Sequence, residues 1–219
     1  MADYVTETIA RAVRTCGTND PAEIIRSRGI QFAYTERFVK TLGFYVVSNN
    51  IRYIRINSLA SEREIREATA HELSHDLFDL AAARSGMCFR DSFSYSSSAD
   101  RLEIRANRGS AELLLPDEAI LEPSGYYKYR EILERVRARM PLSDERLAAE
   151  EASAEFGETC GRDFPSLSEI AEMNDASLFL AEYKVRNLIA KGYDLPLRPE
   201  VRADYLKLRG RIASAAAAV

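Results

Sequence analysis

Tryptophan is absent from the 219 residues, and histidine occurs only twice. Three cysteines (Cys16, Cys88 and Cys160) stand far apart, with no CxxC pair. An odd, scattered set offers neither a disulfide framework nor a cysteine metal site, as expected of a reducing cytosol. Ten glycines and seven prolines exclude collagen-like and low-complexity classes. No apolar run approaches about 18 residues, so no helix is expected to span a membrane. The segment from Met1 to Glu7 has no basic region ahead of an apolar stretch, so no secretory signal is expected. The net charge of −4 argues against a non-specific nucleic-acid binder. Together these absences predict a soluble, cytoplasmic protein without membrane association.

The length is ample for a self-sufficient core, so folding alone requires neither metal nor disulfide. Val5, Ile9, Ala10 and Val13 recur at helical spacing, and Gly17 follows as a stop. Asp20-Pro21 caps a second helix that Gly29 ends. From Ile30 the pattern turns strand-like, over 30–34, 43–48 and 51–56, and Asn49-Asn50 suits a tight hairpin because Asn tolerates positive φ. Ser58 or Ser61 can cap a long helix running to about Arg84. Ser92–Ser98 reads as a loop, and Asp100 opens a helix that Pro116 closes. Beyond Glu122 strand signals vanish, and helices are expected near 126–139, 143–157, 167–173, 176–191 and 199–217, with a frayed alanine-rich end. The fold class is α+β, a small, largely antiparallel sheet with helices, followed by an all-helical C-terminal region. A soft boundary near 117–125 divides residues 1–116 from 117–219.

Both histidines fall in one motif, His71-Glu72-Leu73-Ser74-His75, within a helical pattern. Residues four apart share a helix face, so both imidazoles can reach one ion. Glu72, one position off, stands beside that ion, where it can take a proton from water. Imidazole suits Zn²⁺, with Mn²⁺ or Fe²⁺ as alternatives, and three protein ligands leave a position open for chemistry. Asp76 is charged where zinc-peptidase helices usually carry an uncharged residue, and it reads as a solvent-facing position.

With no third histidine, a carboxylate must complete the set. Glu103 and Glu112 are nine residues apart, about 900° of helical rotation, so only one can face the ion. Asn107 lies one turn beyond Glu103 on the same face and could bond a ligand or the substrate backbone. Asp100-x-x-Glu103 also resembles a capping box, which leaves Glu103 open between ligand and cap, with Glu112 as a third option.

These residues resemble the ImmA/IrrE family of metallopeptidases. The likeness rests on Ile56-Asn57-Ser58-Leu59 with Arg63 and Arg66 leading into Ala70–His75. It continues through Glu103-x-x-Ala106-Asn107 and Glu112–Pro116, and more weakly through Ser168–Ala171 and Ala176–Leu188. The resemblance implies a zincin-like core, a zinc site of His71, His75 and Glu103, and Glu72 as general base. It also implies hydrolysis of a helix-turn-helix repressor, in mobile-element control or a stress response. The chain departs from the family in carrying Ser74 where Gly is common and Gly109-Ser110 where Phe-Ala is usual. Residues 124–165 look like an insertion.

A second donor to the oxyanion would be Tyr126 or Tyr127. The strand 51–56 could accept an extended substrate segment, or simply pack in the sheet. A helix-turn-helix shape is read near 167–191, but Lys184, Arg186 and Lys191 make a weak phosphate surface. The basic residues Arg198, Arg202, Lys207, Arg209 and Arg211 make a better stripe, though such runs are more often solvated faces. Direct DNA binding is therefore not expected. The competing reading is a metal-binding regulator or toxin–antitoxin partner that binds a repressor or DNA without cutting, and such a protein has no chemical need of Glu72.

Overall fold

A computed structural model describes residues 3–92, 101–140, 145–160 and 163–196. Asp100, residues 93–98 of the serine-rich stretch, the 199–217 helix and the basic stripe from Arg198 lie outside them. None of the described helices is long and apolar enough to cross a membrane.

Two compact units emerge, one of residues up to Ile120 together with Ser166–Tyr193, the other of Leu121–Pro165 with the segment from Asp194. This grouping differs from a single cut at 117, because the helices at 167–190 pack with those of the first half.

The first unit begins with α1 (Tyr4–Cys16), closed by Gly17 at φ 71°, and α2 (Pro21–Ser27). Asp20 Oδ1 caps α2 by accepting from the Ala22 and Glu23 amides at 2.7 and 3.1 Å, as its place before Pro21 predicts. Four strands follow, β1 (Gln31–Thr35), β2 (Thr41–Ser48), β3 (Ile51–Asn57) and β4 (Phe89–Ser92). Their order in the sheet is β1-β3-β2-β4. β1 runs parallel to β3, and the other two pairings are antiparallel. Asn49 and Asn50 take φ of 49° and 60°, the left-handed pair that the hairpin turn requires. β3 is flanked on both sides, so the strand 51–56 has no free edge to offer a substrate; its place is interior sheet packing. β4, hidden in a stretch with little strand signal, is the edge next to β2.

α3 (Glu62–Phe78) opens with a full capping box, in which Ser61 Oγ accepts from the Glu64 amide and Glu64 reaches back to the Ser61 amide. Such a cap is worth about 1 kcal/mol. The helix is shorter than its sequence pattern suggests; it ends at Asp79, after which α4 (Leu80–Arg84) sets off separately. α3 is wedged between the sheet and α5 (Arg101–Leu114). Every residue from Ala68 to Asp76 is therefore buried, polar ones included. Beneath α3 lies a core of Ile24, Ile25, Tyr45, Ile54, Ile56 and Leu73.

α6 (Glu118–Leu121) leads to the second unit, where α7 (Tyr126–Arg137) and α8 (Glu145–Thr159) bury Tyr129, Ile132, Val136, Ala152 and Phe156 against each other. Tyr126 and Tyr127 open α7, their rings edge-on at 5.4 Å. α9 (Leu167–Met173) and α10 (Leu178–Ala190) return to the first unit. Their apolar side chains Ala176, Leu180 and Tyr183 pack with Ala111 and Leu115.

Candidate metal centre

Polar side chains on a helix buried on all sides must find partners within the protein. On α3, Asp76 and the two histidines do so in two groups. One faces the sheet. Asp76, expected to face solvent, is 1% exposed. It takes bonds from Arg28 Nε and Nη2 at 2.9 and 2.8 Å, from Arg52 Nη1 and from the Tyr45 hydroxyl at 2.9 Å. The correction has a simple cause: two arginines on neighbouring elements, invisible in the motif itself, supply the charge that lets the carboxylate enter. Burial and the adjoining Asp76 push the Tyr45 phenol well above its ordinary pKa, which fixes it as a donor. Removing one side of such a buried pair costs about 3–5 kcal/mol.

The other group faces α5. His71 and His75, one turn apart, bring their Nε2 atoms to 3.1 Å. Glu103, in the first turn of α5, places Oε2 3.2 Å from His71 Nε2 and Oε1 3.5 Å from His75 Nε2. Taking one oxygen of Glu103, all three donor atoms lie within 4.8 Å of one another. A tetrahedral zinc with bonds of about 2.0–2.1 Å has ligand atoms about 3.3 Å apart. The separations are of that size, the two to Glu103 running to its different oxygens, and two imidazoles with one carboxylate are a donor set that suits the ion.

The outer ring nitrogens are also engaged. His71 Nδ1 lies 2.9 Å from Asn107 Oδ1, and His75 Nδ1 lies 2.9 Å from Asp79 Oδ2. Both oxygens can only accept, so both rings donate from Nδ1, which in the neutral ring leaves on Nε2 the lone pair that an ion would take. Phe89 of β4 stacks on the His75 ring, with centroids 4.1 Å apart and planes 23° from parallel.

Electrostatics agree with the geometry. Burial pushes the Glu103 carboxyl up, yet the bonds from His71 and His75 prevail and hold it well below the ordinary carboxylate range. Burial likewise opposes a charge on His75, but the bonds to Asp79 and Glu103 outweigh it and raise its pKa. Both directions describe a centre that favours positive charge among its three donors, which a divalent cation supplies.

Glu72 is fully buried beside β2. A β-carbon built on Gly43 would stand 3.0 Å from Glu72 Cγ and Oε1, so only glycine leaves this carboxylate its room. The β2–β4 pairing shifts register between Thr41 and Gly43, next to that spot. Residues 26–150, which hold all of these groups, match the family described as the IrrE N-terminal-like domain, peptidase M78.

The chain belongs to the M78 peptidase family. Over 109 residues the chain is 30% identical to "uncharacterized immunity region protein 2" of Bacillus phage phi105. The match covers 50% of the chain and 66% of that relative, so the chain spans just under two thirds of the relative's length. No solved structure matches.

The structure brings together His71, His75, Glu103 and Asn107. Glu112 points elsewhere, to Lys184 Nζ at 2.9 Å and Lys191 Nζ at 2.5 Å. Tyr126 and Tyr127 belong to the other unit. Two of the three basic residues offered to DNA, Lys184 and Lys191, are thus committed to Glu112 and Asp117, and Arg186 lies over the Tyr183 ring. Sequence reasoning missed Asp79, although His71, His75 and Asp79 form one stripe at steps of four and extending it would have found the third member. It also missed Phe89, whose strand has too little pattern to read.

Proposed function

We propose that this M78 peptidase is a zinc-dependent endopeptidase of the gluzincin type, with His71, His75 and Glu103 holding the ion and Glu72 as general base. The convergence of two imidazole Nε2 atoms and one carboxylate on a single point carries the proposal. A bound divalent cation supplies a Lewis acid that acidifies water and polarises the scissile carbonyl. Glu72 takes the proton of the attacking water and passes it to the leaving amine. Asn107 and Asp79 hold the rings in the tautomer that this work needs. The burial of Glu72 and His75 keeps the proton transfer out of bulk solvent.

The substrate we infer is a helix-turn-helix repressor, cleaved to lift repression in a mobile element or a stress response. The family resemblance supports this, as does the relative's name, which places it in a phage immunity region. The test is incubation of the zinc-loaded protein with the helix-turn-helix protein encoded beside it. Wild type is expected to cut it once. Glu72→Gln should retain zinc by elemental analysis and lose cleavage by at least 100-fold, whereas Glu103→Ala should lose zinc. A zinc-loaded wild type that binds the repressor and leaves it whole, with Glu72→Gln indistinguishable, would establish the non-catalytic regulator instead.

A further inference from the structure

Behind His75 stands a carboxylate that no HExxH motif includes. Asp79 closes α3, its amide bonded to the His75 carbonyl at 2.8 Å and its side chain wholly shielded from solvent. One oxygen receives His75 Nδ1, and the other receives the guanidinium of Arg105. Among the described residues, Arg105 is the one cation paired with this carboxylate. Arg105 lies two residues past Glu103 on α5, and its guanidinium sits 6.0 Å over the ring of Phe78.

We propose that Arg105 is a positioning residue of the metal centre, acting through Asp79 on His75. Three contacts define the His75 ring: Asp79 at Nδ1, Phe89 on its face and the two other donors at Nε2. The first is only as well placed as Asp79 itself. Arg105 takes the second oxygen of Asp79 and so holds the carboxylate from the side away from His75. The same bond ties the helix of Glu103 to the end of the helix of both histidines. Spacing between the third ligand and the first two is thereby set by a side chain that touches none of them. The guanidinium both bonds Asp79 and lies over the Phe78 ring, a pair of contacts that a lysine ammonium cannot reproduce in full.

The inference rests on the metal reading above and is tested on the full chain with Zn²⁺ alone. Zinc affinity is read by competition with a chromophoric chelator, and metal-free folding by thermal melting. Arg105→Met and Asp79→Asn should each weaken zinc by 10–100-fold. Their double variant should be no weaker than the poorer single, because both act along one path. Arg105→Lys should recover part of the loss. A brace for folding alone would lower the melting temperature and leave the zinc affinity of the folded fraction untouched. Arg105→Met within about two-fold of wild type, or a double variant whose loss is the product of the singles, overturns the proposal. Where Arg105→Met does not fold, Arg105→Lys and Asp79→Asn decide it, and wild-type affinity in both overturns it. A wild type that binds no zinc refutes the metal reading itself, an outcome distinct from equal binding by all variants.

Discussion

Glu72 shows how much a single glycine can govern. A methyl group at position 43 would meet the Glu72 side chain at 3.0 Å and Ile56 Cδ1 at 2.9 Å. Isoleucine can swing its terminal methyl aside, and the Glu72 side chain would have to shift by a few tenths of an ångström. Gly43→Ala is therefore expected to keep its zinc and lose about 10–100-fold in kcat, measured on the repressor substrate beside a zinc assay. Loss of zinc in step with activity would place the damage in the fold instead. At this scale the sequence was legible wherever chemistry follows a fixed local step. His71, Glu72 and His75 are set by helix periodicity alone, and Asn107 follows from Glu103 by the same step. Gly43 and Arg105 were not legible, because their importance comes from elements 29 and 26 residues away from Glu72 and Asp79. Asp76 was misread for the same reason, since its partners Arg28, Tyr45 and Arg52 all precede it on other elements.

Between elements, the close approach of α3 and α5 depends on one glycine. Gly109 on α5 faces Ser74 on α3, and a β-carbon there would come within 2.7 Å of Ser74 Oγ and 2.5 Å of Phe78. Glycine at 109 leaves room for the Ser74 and Phe78 side chains, so the two helices pack closely. Farther along, Glu112 of α5 and Asp117 beyond its end meet Lys184 of α10 and Lys191 at its C-cap. Burial would raise Asp117, but the bonds from both lysines outweigh it and hold its carboxyl below 3.8. Burial would lower Lys191, yet Asp117 and Glu112 prevail and hold it above 10.5. A depressed carboxyl stabilises above its unfolded value and loses that contribution as pH falls through its folded one. A raised ammonium does the reverse at alkaline pH. Asp117→Asn should thus lose about 1–3 kcal/mol near pH 7. The gap to wild type should close below pH 3.8, as read by denaturant melts across pH. A constant gap down to pH 3 would exclude the ion pairs as its source. The helices themselves were plain in the sequence, whereas this pairing spans some seventy residues and leaves no periodic trace.

Across the whole molecule, the stretch that matches the family is not the stretch that packs together. Residues 26–150 omit α1 before and α9–α10 after. Yet the turn between α9 and α10 is gripped by α3: Glu67 accepts from the Ser177 amide and hydroxyl, both at 2.7 Å, and Arg66 bonds the Asp175 carbonyl. α10 in turn holds α5 through Lys184, Asn187 and Lys191. A chain cut after 165 should bare Ala111 and Leu115 and strand Glu67, Glu112 and Asp117. Thermal melting is expected to lose its cooperative transition, whereas a chain cut after 193 keeps that of the first unit. Equal melting of the two would show α9–α10 to be dispensable. Two helices near 167–191 were legible, but their use as a brace was not, because burial of Lys184 depends on acids contributed by distant elements.

That brace also imposes a timetable. During translation both ligand helices are complete by Leu115, but the helix that clasps them ends some 75 residues later. At roughly 5–20 residues per second, the interval lasts several seconds. Until that helix emerges, the bonds of Lys184, Asn187 and Lys191 to the second of the ligand helices cannot form, so the pair stands without its brace.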